Sequence, residues 1–311
     1  MAGGEMAGGE MAGGEMAGGE MAGGEMAGGE MARRGRERTT INQTAKLYIG
    51  GKQARPDSGY SRSVLDPDGT VLGEVGEGNR KDIRNAVEAA RAAAGSWGST
   101  NGHSRAQILY YLAENLSYRA SEFATRLAQQ TGVEGSEEVQ SAIRRLFFWA
   151  AWADKHEGAV HRTAQKSVVL AIPEPLGVIG IACPTAQPLL GLIGTLAPAI
   201  ALGNAVVVIP SEIHPLSATD FYQVLETSDV PGGVVNLITG SRESLIKTLA
   251  EHDDVEGVWY FGETPGPVEA ASVGNLKRTW CPAGEPRHDA FLRAATQVKN
   301  IWIPYTDELP W

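Results

Sequence analysis

The chain has 311 residues, 42% of them hydrophobic, a net charge of −10 and two cysteines. Two cysteines make no disulfide framework and no secretory signal precedes them, so a reducing compartment, the cytosol, is expected. The acidic balance argues against a nucleic-acid partner, and Pro184, Gln187, Pro188, Pro198 and Asn204 break the longest apolar region, leaving no run of about 20 apolar residues to span a membrane.

The first 30 residues are six copies of Met-Ala-Gly-Gly-Glu. They have no apolar periodicity, and each glycine costs about 1 kcal/mol relative to alanine in a helix, so residues 1–30 are expected to be disordered. All seven methionines lie at or before Met31, a candidate natural start, and leaving out the six repeat glutamates moves the net charge from −10 to −4. A glutamate-bearing tail suits a basic partner, but a repeat expansion without function accounts for it too, and no role is assigned. The basic run Arg33, Arg34, Arg36 and Arg38 is interrupted by Glu37 with no amphipathic pattern after it, so targeting is not expected. Residues 31–45 read as a linker.

From Leu47 short alternating runs are joined by turn residues, and the Asp-Pro-Asp-Gly turn at Asp66–Gly69 predicts paired antiparallel strands. Helical spacing follows, opened by an Asn79 cap with Asp82 in the first turn, carrying Ile83, Val87 and Ala90 on one side and ending near Gly95. Ser104–Arg119 sets Ile108, Leu109, Leu112 and Leu116 on one face; Phe123 and Leu127 continue to a stop at Gly132. A long helix from Ser136 keeps Ile143, Leu146, Phe147 and Ala150 in register, with Trp149 and Trp152 widening an apolar face that reads as core.

After residue 167 strand and helix alternate: extended at 167–172 and 178–182, helical at 188–203, extended at 205–209, helical at 217–227, extended at 234–238, helical at 242–251 and extended at 257–261. That alternation predicts a doubly wound parallel sheet, which places ligands beyond the carboxyl ends of its strands. The loops 184–188, 210–212 and 262–264 are therefore the positions where a nucleotide would sit.

Five segments in order, LYIGGKQ at 47–53, EPLGVIGIACPTAQPLLGLIGTLAPAIALGNAVVVIPSE at 174–212, VPGGVVNLITG at 230–240, VEGVWYFGET at 255–264 and NLKR at 275–278, resemble the aldehyde dehydrogenase superfamily. The deletion pattern is most similar to the truncated C-terminal pseudo-domain of aldehyde dehydrogenase family 16, which follows a complete catalytic unit. No such unit precedes the segment here, so the chain is expected to be that pseudo-domain alone, a partial protein or an isoform. The resemblance implies an α/β fold, with a doubly wound cofactor-type domain at 46–287 and an antiparallel oligomerisation strand with tail at 288–311.

The resemblance also implies chemistry that these residues lack. The family's Pro-Trp-Asn-Phe-Pro loop, whose asparagine stabilises the oxyanion, reads Pro184-Thr185-Ala186-Gln187-Pro188. Losing one such donor typically costs about 10²–10³ in rate, and Gln187 is one residue out of place. The family's Lys-Pro-x-Glu ribose clamp reads Ile209-Pro210-Ser211-Glu212, so Glu212 remains without its lysine. The pyrophosphate loop Phe-Thr-Gly-Ser-Thr reads Tyr260-Phe261-Gly262-Glu263-Thr264, and a Glu263 carboxylate at about 4 Å from phosphate would cost roughly 4 kcal/mol at an effective dielectric near 20. Pro265 and Pro267 remove further amide donors.

Pro282 falls at the general-base glutamate and Gly284 keeps one of the glycine pair, while Glu285 lies three residues late. The Gly-Gln-x-Cys nucleophile segment is missing, the chain passing from Arg287 to Ala294–Tyr305, which resembles the oligomerisation strand. Cys183, among apolar neighbours, and Cys281, with only distant His288, do not replace the nucleophile. His156 and His161 have no ligand partners and read as solvated surface, so no metal is expected. The implied reading is a pseudoenzyme with no catalytic residues, a degenerate cofactor site at Glu212, Gly262 and Thr264, and no cofactor unless the cleft still admits NAD. Its expected partner is a second copy or a catalytic aldehyde dehydrogenase domain, reached through strand 297–303. The rival is an NAD-dependent aldehyde oxidoreductase, or a domain contributing to one.

Overall fold

The computed structural model describes residues 44–164 and 167–304. The repeat at 1–30, most of the expected linker and the tail beyond Pro304 lie outside these residues. Thr44–Ala45, the last two residues of that linker, form strand β1.

The opening segment carries β1, β2 (Leu47–Ile49), β3 (Lys52–Ala54), β4 (Ser61–Leu65) and β5 (Val71–Gly76). β4 and β5 pair antiparallel around the expected turn, where the Asp66 carboxylate accepts from the N–H groups of Asp68 and Thr70 at 2.9 and 2.7 Å. Gly69 supplies the left-handed backbone, φ 85°, that closes this turn.

Helices α1 (Arg80–Ser99), α2 (Gly102–Tyr118), α3 (Ala120–Thr131) and α4 (Ser136–Trp152) follow. Asn79 and Asp82 form a reciprocal capping box at the start of α1. This helix continues past the expected stop near Gly95 because Trp97 extends its buried face and donates its indole N–H to the Ile200 carbonyl at 3.0 Å. Gly132 ends α3 in the left-handed conformation, as the sequence suggests.

The second half contains β6 (Ala159–Arg162), β7 (Ser167–Pro175), β8 (Val178–Ala182), α5 (Pro188–Ala201), β9 (Ala205–Ile209), α6 (Leu216–Glu226), β10 (Val235–Leu237), α7 (Arg242–Glu251), β11 (Gly257–Tyr260), α8 (Gly266–Ala271), β12 (Arg278–Trp280), α9 (His288–Ala295) and β13 (Thr296–Pro304). The main sheet runs β12-β11-β8-β9-β10-β2-β3; its first five strands are parallel, and β2 and β3 add an antiparallel hairpin.

Every residue of β8 and β9 is buried, as expected of parallel strands covered on both faces. On one face Val178, Val207 and Val258 join a core with Ile83 and Val87 of α1 and Leu245 and Leu249 of α7. On the other, Ile179, Val206 and Trp259 join residues of α2 to α6 and Phe291 of α9. Strand order reverses at the β8/β11 boundary, the topological switch point where such sheets open a crevice. A separate three-stranded antiparallel sheet has the order β13-β7-β6.

Candidate functional site at the carboxyl edge of the sheet

The carboxyl ends of the parallel strands bring the expected loops together, and several polar groups around them are already paired within the chain. At the switch point the Arg242 guanidinium donates to the carbonyls of Ala182, which ends β8, and Phe261, which follows β11. Its carbon also lies 5.2 Å from the centroid of the Tyr260 ring. A cation thus bridges the two strands where the crevice would open.

Two helix N-termini facing this edge, those of α5 and α7, are likewise capped from inside. Oε1 of Glu138, on α4, accepts from the N–H groups of Leu189 and Leu190 at 2.8 and 3.0 Å. These are orphan donors at the start of α5, the kind that bind anionic ligands. Burial pushes the Glu138 carboxyl above its ordinary value, against the opposing pull of the two N–H groups.

Glu212 of the expected ribose clamp turns to α7 instead: Oε2 accepts from the Arg242 N–H at 2.9 Å. Glu77 accepts from the Ser241 N–H at 3.0 Å and pairs with Arg62, whose guanidinium also donates to the Glu212 carbonyl. Two carboxylates therefore serve the α7 N-terminus, where they also meet its dipole favourably. Ile209, at the lysine's place, is core.

Gly262 leaves room for Tyr260; a Cβ there would run into the phenol ring. Thr264 is exposed and its hydroxyl lies 3.4 Å from the Tyr260 hydroxyl. Glu263 is exposed, as are Ala186 and Gln187. The Gln187 side chain makes no cap bond to α5.

Phe261, at the place of the family's threonine, packs against Trp280 and Phe291 with centroids 5.7 and 6.4 Å apart. Phe291 of α9 also meets Trp280 at 5.1 Å, Trp259 at 5.6 Å and Trp149 at 5.9 Å. A short helix thus separates the cofactor-type domain from the final strand, where sequence suggested a direct passage.

Cys183, Cys281 and Glu285, which the sequence already sets apart from the family's nucleophile and general base, are held in other ways. Burial pushes the Cys183 thiol up to about 12, with Thr195 Oγ1 3.4 Å from the sulfur. Cys281 is half-buried, and burial, then Glu269, raise its thiol. Glu285 pairs with Arg145 at 3.0 Å at the surface. His156 is not solvated surface: its Nε2 lies 3.3 Å from Thr296 Oγ1, and burial lowers its pKa. Among the described residues no cluster of three or more His, Cys, Asp or Glu is placed to hold a metal ion. No helix among them is long and apolar enough to cross a membrane.

Sequence reasoning missed Glu138 and Arg242 as occupants of this edge. Glu138 precedes its partner Leu189 by 51 residues, so no local spacing signals the contact. Arg242 was legible only as the start of a helix.

The profile of the aldehyde dehydrogenase family matches residues 54–280. The chain is 31% identical over 256 residues to the cytosolic 10-formyltetrahydrofolate dehydrogenase of Mus musculus, covering 78% of this chain and 28% of that protein. It is 31% identical over 256 residues to an aldehyde dehydrogenase of Agaricus bisporus, covering 79% and 51%. Among solved structures, PnpE from Pseudomonas sp. WBC-3 superposes with a TM-score of 0.74 at 28% identity, over 76% of this chain and 50% of that one. A betaine aldehyde dehydrogenase from Staphylococcus aureus in complex with NAD+ gives 0.73 at 25% identity, over 76% and 48%. The chain thus spans about half the length of these relatives, or less.

Proposed function

Because this chain belongs to the aldehyde dehydrogenase family, we propose that it is a non-catalytic member, a domain for assembly that pairs with a second copy of itself or with a catalytic aldehyde dehydrogenase domain. The reading rests on the β13-β7-β6 sheet. β13 pairs with β7 along nine residues, and among the described residues its other edge pairs with nothing. Unpaired N–H and C=O groups along such an edge invite strand addition.

Both faces of this sheet carry exposed apolar side chains. The register sets Val298 and Trp302 on one face, 59% and 58% exposed, and Ile303 with Val168 and Val160 on the other, 47%, 38% and 71% exposed. Apolar side chains on both faces of a small sheet are a surface that association would cover.

The carboxyl edge supports the non-catalytic half of the reading. Its residues do not fit a dinucleotide: Glu138 and Glu212 cap the N-termini of α5 and α7, Arg242 spans the switch point, and Ile209 leaves the ribose clamp without its lysine. The thiols of Cys183 and Cys281 are both raised, whereas a nucleophilic cysteine needs a lowered value. Two free thiols also suit a cytosolic setting.

The test is light scattering of the assembly with Val298→Asp and Ile301→Asp combined. The exchange is expected to reduce the particle mass to that of a monomer, and an unchanged mass overturns the proposal. The second reading, an NAD-dependent aldehyde oxidoreductase or a subunit completing one, is favoured by the NAD+ complex of the Staphylococcus aureus relative. NAD reduction with a short aliphatic aldehyde, abolished by a cysteine alkylator, would establish it.

A further inference from the structure

At the opposite, amino-terminal edge of the main sheet a cavity of about 460 Å³ is lined by residues that include Leu176, Asp253, Glu256, Lys277 and Gln297. Lys277 follows the short 3₁₀ turn at Ser272–Gly274 and precedes β12. Its ammonium donates to the carbonyls of His252 at 2.6 Å and Leu249 at 3.3 Å, at the C-terminus of α7. These bonds fix the nitrogen while leaving its third N–H uncommitted among the described residues.

We propose that Lys277 is a carbonyl-capturing residue whose ε-amine forms a reversible imine with a small, uncharged aldehyde in this cavity. The inference is independent of strand-mediated assembly and of any reaction at the carboxyl edge.

Charge selects the ligand class. Glu256 is committed to Arg91 and to the Val178 N–H, and Arg278 to the carbonyls of Arg293 and Thr296. No hydrogen bond holds the Asp253 carboxylate among the described residues, and the Arg278 guanidinium, bonded only to neutral carbonyls, keeps its charge, so the wall carries one carboxylate and one guanidinium of opposite sign besides Lys277 and the Glu256–Arg91 pair. With the deprotonated Lys277 amine, such a wall has no net charge to hold an ionic ligand, which suits a small neutral aldehyde.

The chemistry balances without an oxidant. The Lys277 nitrogen must first give up its uncommitted proton to solvent or to Asp253. Its lone pair then forms the C–N bond while one of the two remaining N–H protons passes to the carbonyl oxygen, and the carbinolamine loses that hydroxyl with the last N–H proton as water, so that C=N replaces both hydrogen bonds to the α7 carbonyls. Burial supplies the deprotonated amine: it lowers the Lys277 pKa to about 8, with Asp253 and Glu256 opposing. Relative to an ordinary lysine near 10.4, the free-amine fraction at neutral pH is raised on the order of a hundredfold.

The experiment treats the full chain with propanal and sodium cyanoborohydride, which fixes imines as propylamines, and maps the adducts by peptide mass spectrometry. At pH 7.5 the Lys277 label is expected to exceed those at exposed Lys52, Lys247 and Lys299 by about tenfold or more. Lys277 labelling should reach half its maximum near pH 8, a midpoint set by burial with Asp253, Glu256, Arg91, Arg278 and the neighbouring His252 around it. Lys277→Arg keeps donors for the α7 carbonyls but forms no imine, so it should lose this adduct while the circular dichroism spectrum stays unchanged. Labelling of Lys277 at or below the level of the exposed lysines overturns the proposal.

Discussion

The Arg242 guanidinium lies over the Tyr260 ring, 5.2 Å from its centroid, and that ring in turn occupies the space a side chain at residue 262 would need. Cation, ring and glycine form one stack across the switch point. Its members are coupled, so replacing one disturbs the seating of the next.

The stack predicts how the chain responds to nucleotide. Calorimetric titration of the full chain with NAD is expected to show no heat up to about 1 mM. Arg242→Gly combined with Glu263→Ser, which removes both the bridging cation and the exposed carboxylate, is expected to bring binding into range. Micromolar binding by the unaltered chain would sink the self-filled reading of this edge.

Glu138 predicts a pH signature. Its folded pKa is raised above the ordinary value of 4.5, so the native state keeps this proton at pH values where the unfolded chain has lost it. Its contribution to stability is complete below the unfolded value and is lost as pH rises through the folded one. Glu138→Gln does not titrate, so wild type should lose stability relative to this variant as pH rises from 4.5. Urea midpoints measured from pH 4 to pH 7.5 check this, and parallel curves would refute it.

Glu138→Ala is a separate test of the same contact. It orphans the Leu189 and Leu190 N–H groups, and each buried donor left unmet costs about 1–3 kcal/mol. A stability loss under about 0.5 kcal/mol by denaturant unfolding, the size of an ordinary surface change, would contradict the capping role.

The two thiols should differ in access. Cys183 is fully buried with its thiol pushed up to about 12, whereas Cys281 is half-buried. A thiol-reactive chromophore at pH 8 should therefore titrate Cys281 slowly in the native protein and reach Cys183 only in denaturant. Rapid native labelling of Cys183 would show that the site is not closed.

Phe291→Ala removes the ring that joins α9 to Trp149, Trp259 and Trp280. A buried phenylalanine truncated to alanine costs about 3–5 kcal/mol, and the melting temperature should fall accordingly. A variant as stable as wild type would mean that α9 is not seated through this residue.

Much of the doubly wound core was legible because its signals are local. The run Ala205–Ile209 is uniformly apolar and became a strand buried on both faces, while Asn79 with Asp82 announced a helix start that the capping box realised. Long-range pairing was not legible. The Glu138 carboxylate and the α5 N–H groups meet only after α4 packs on α5, and no spacing rule encodes that meeting. The expected passage from Arg287 into the last strand also overlooked α9, whose eight residues derive their stability from Phe291 entering an aromatic cluster rather than from helix propensity. Glu212 was readable as a surviving letter of a ribose clamp, yet its role depends on which helix end lies nearest.

The Phe291 cluster gives the protein an internal optical gauge. Trp259 and Trp280 meet edge to face with centroids 5.2 Å apart, close enough for their indole transitions to couple and to mark the near-ultraviolet dichroism. Phe291 touches both rings, and its helix leads directly into β13. Any event that pulls on the last strand, whether capture by another subunit or melting from its end, is therefore transmitted to a chromophore pair in the core and becomes visible without an attached dye.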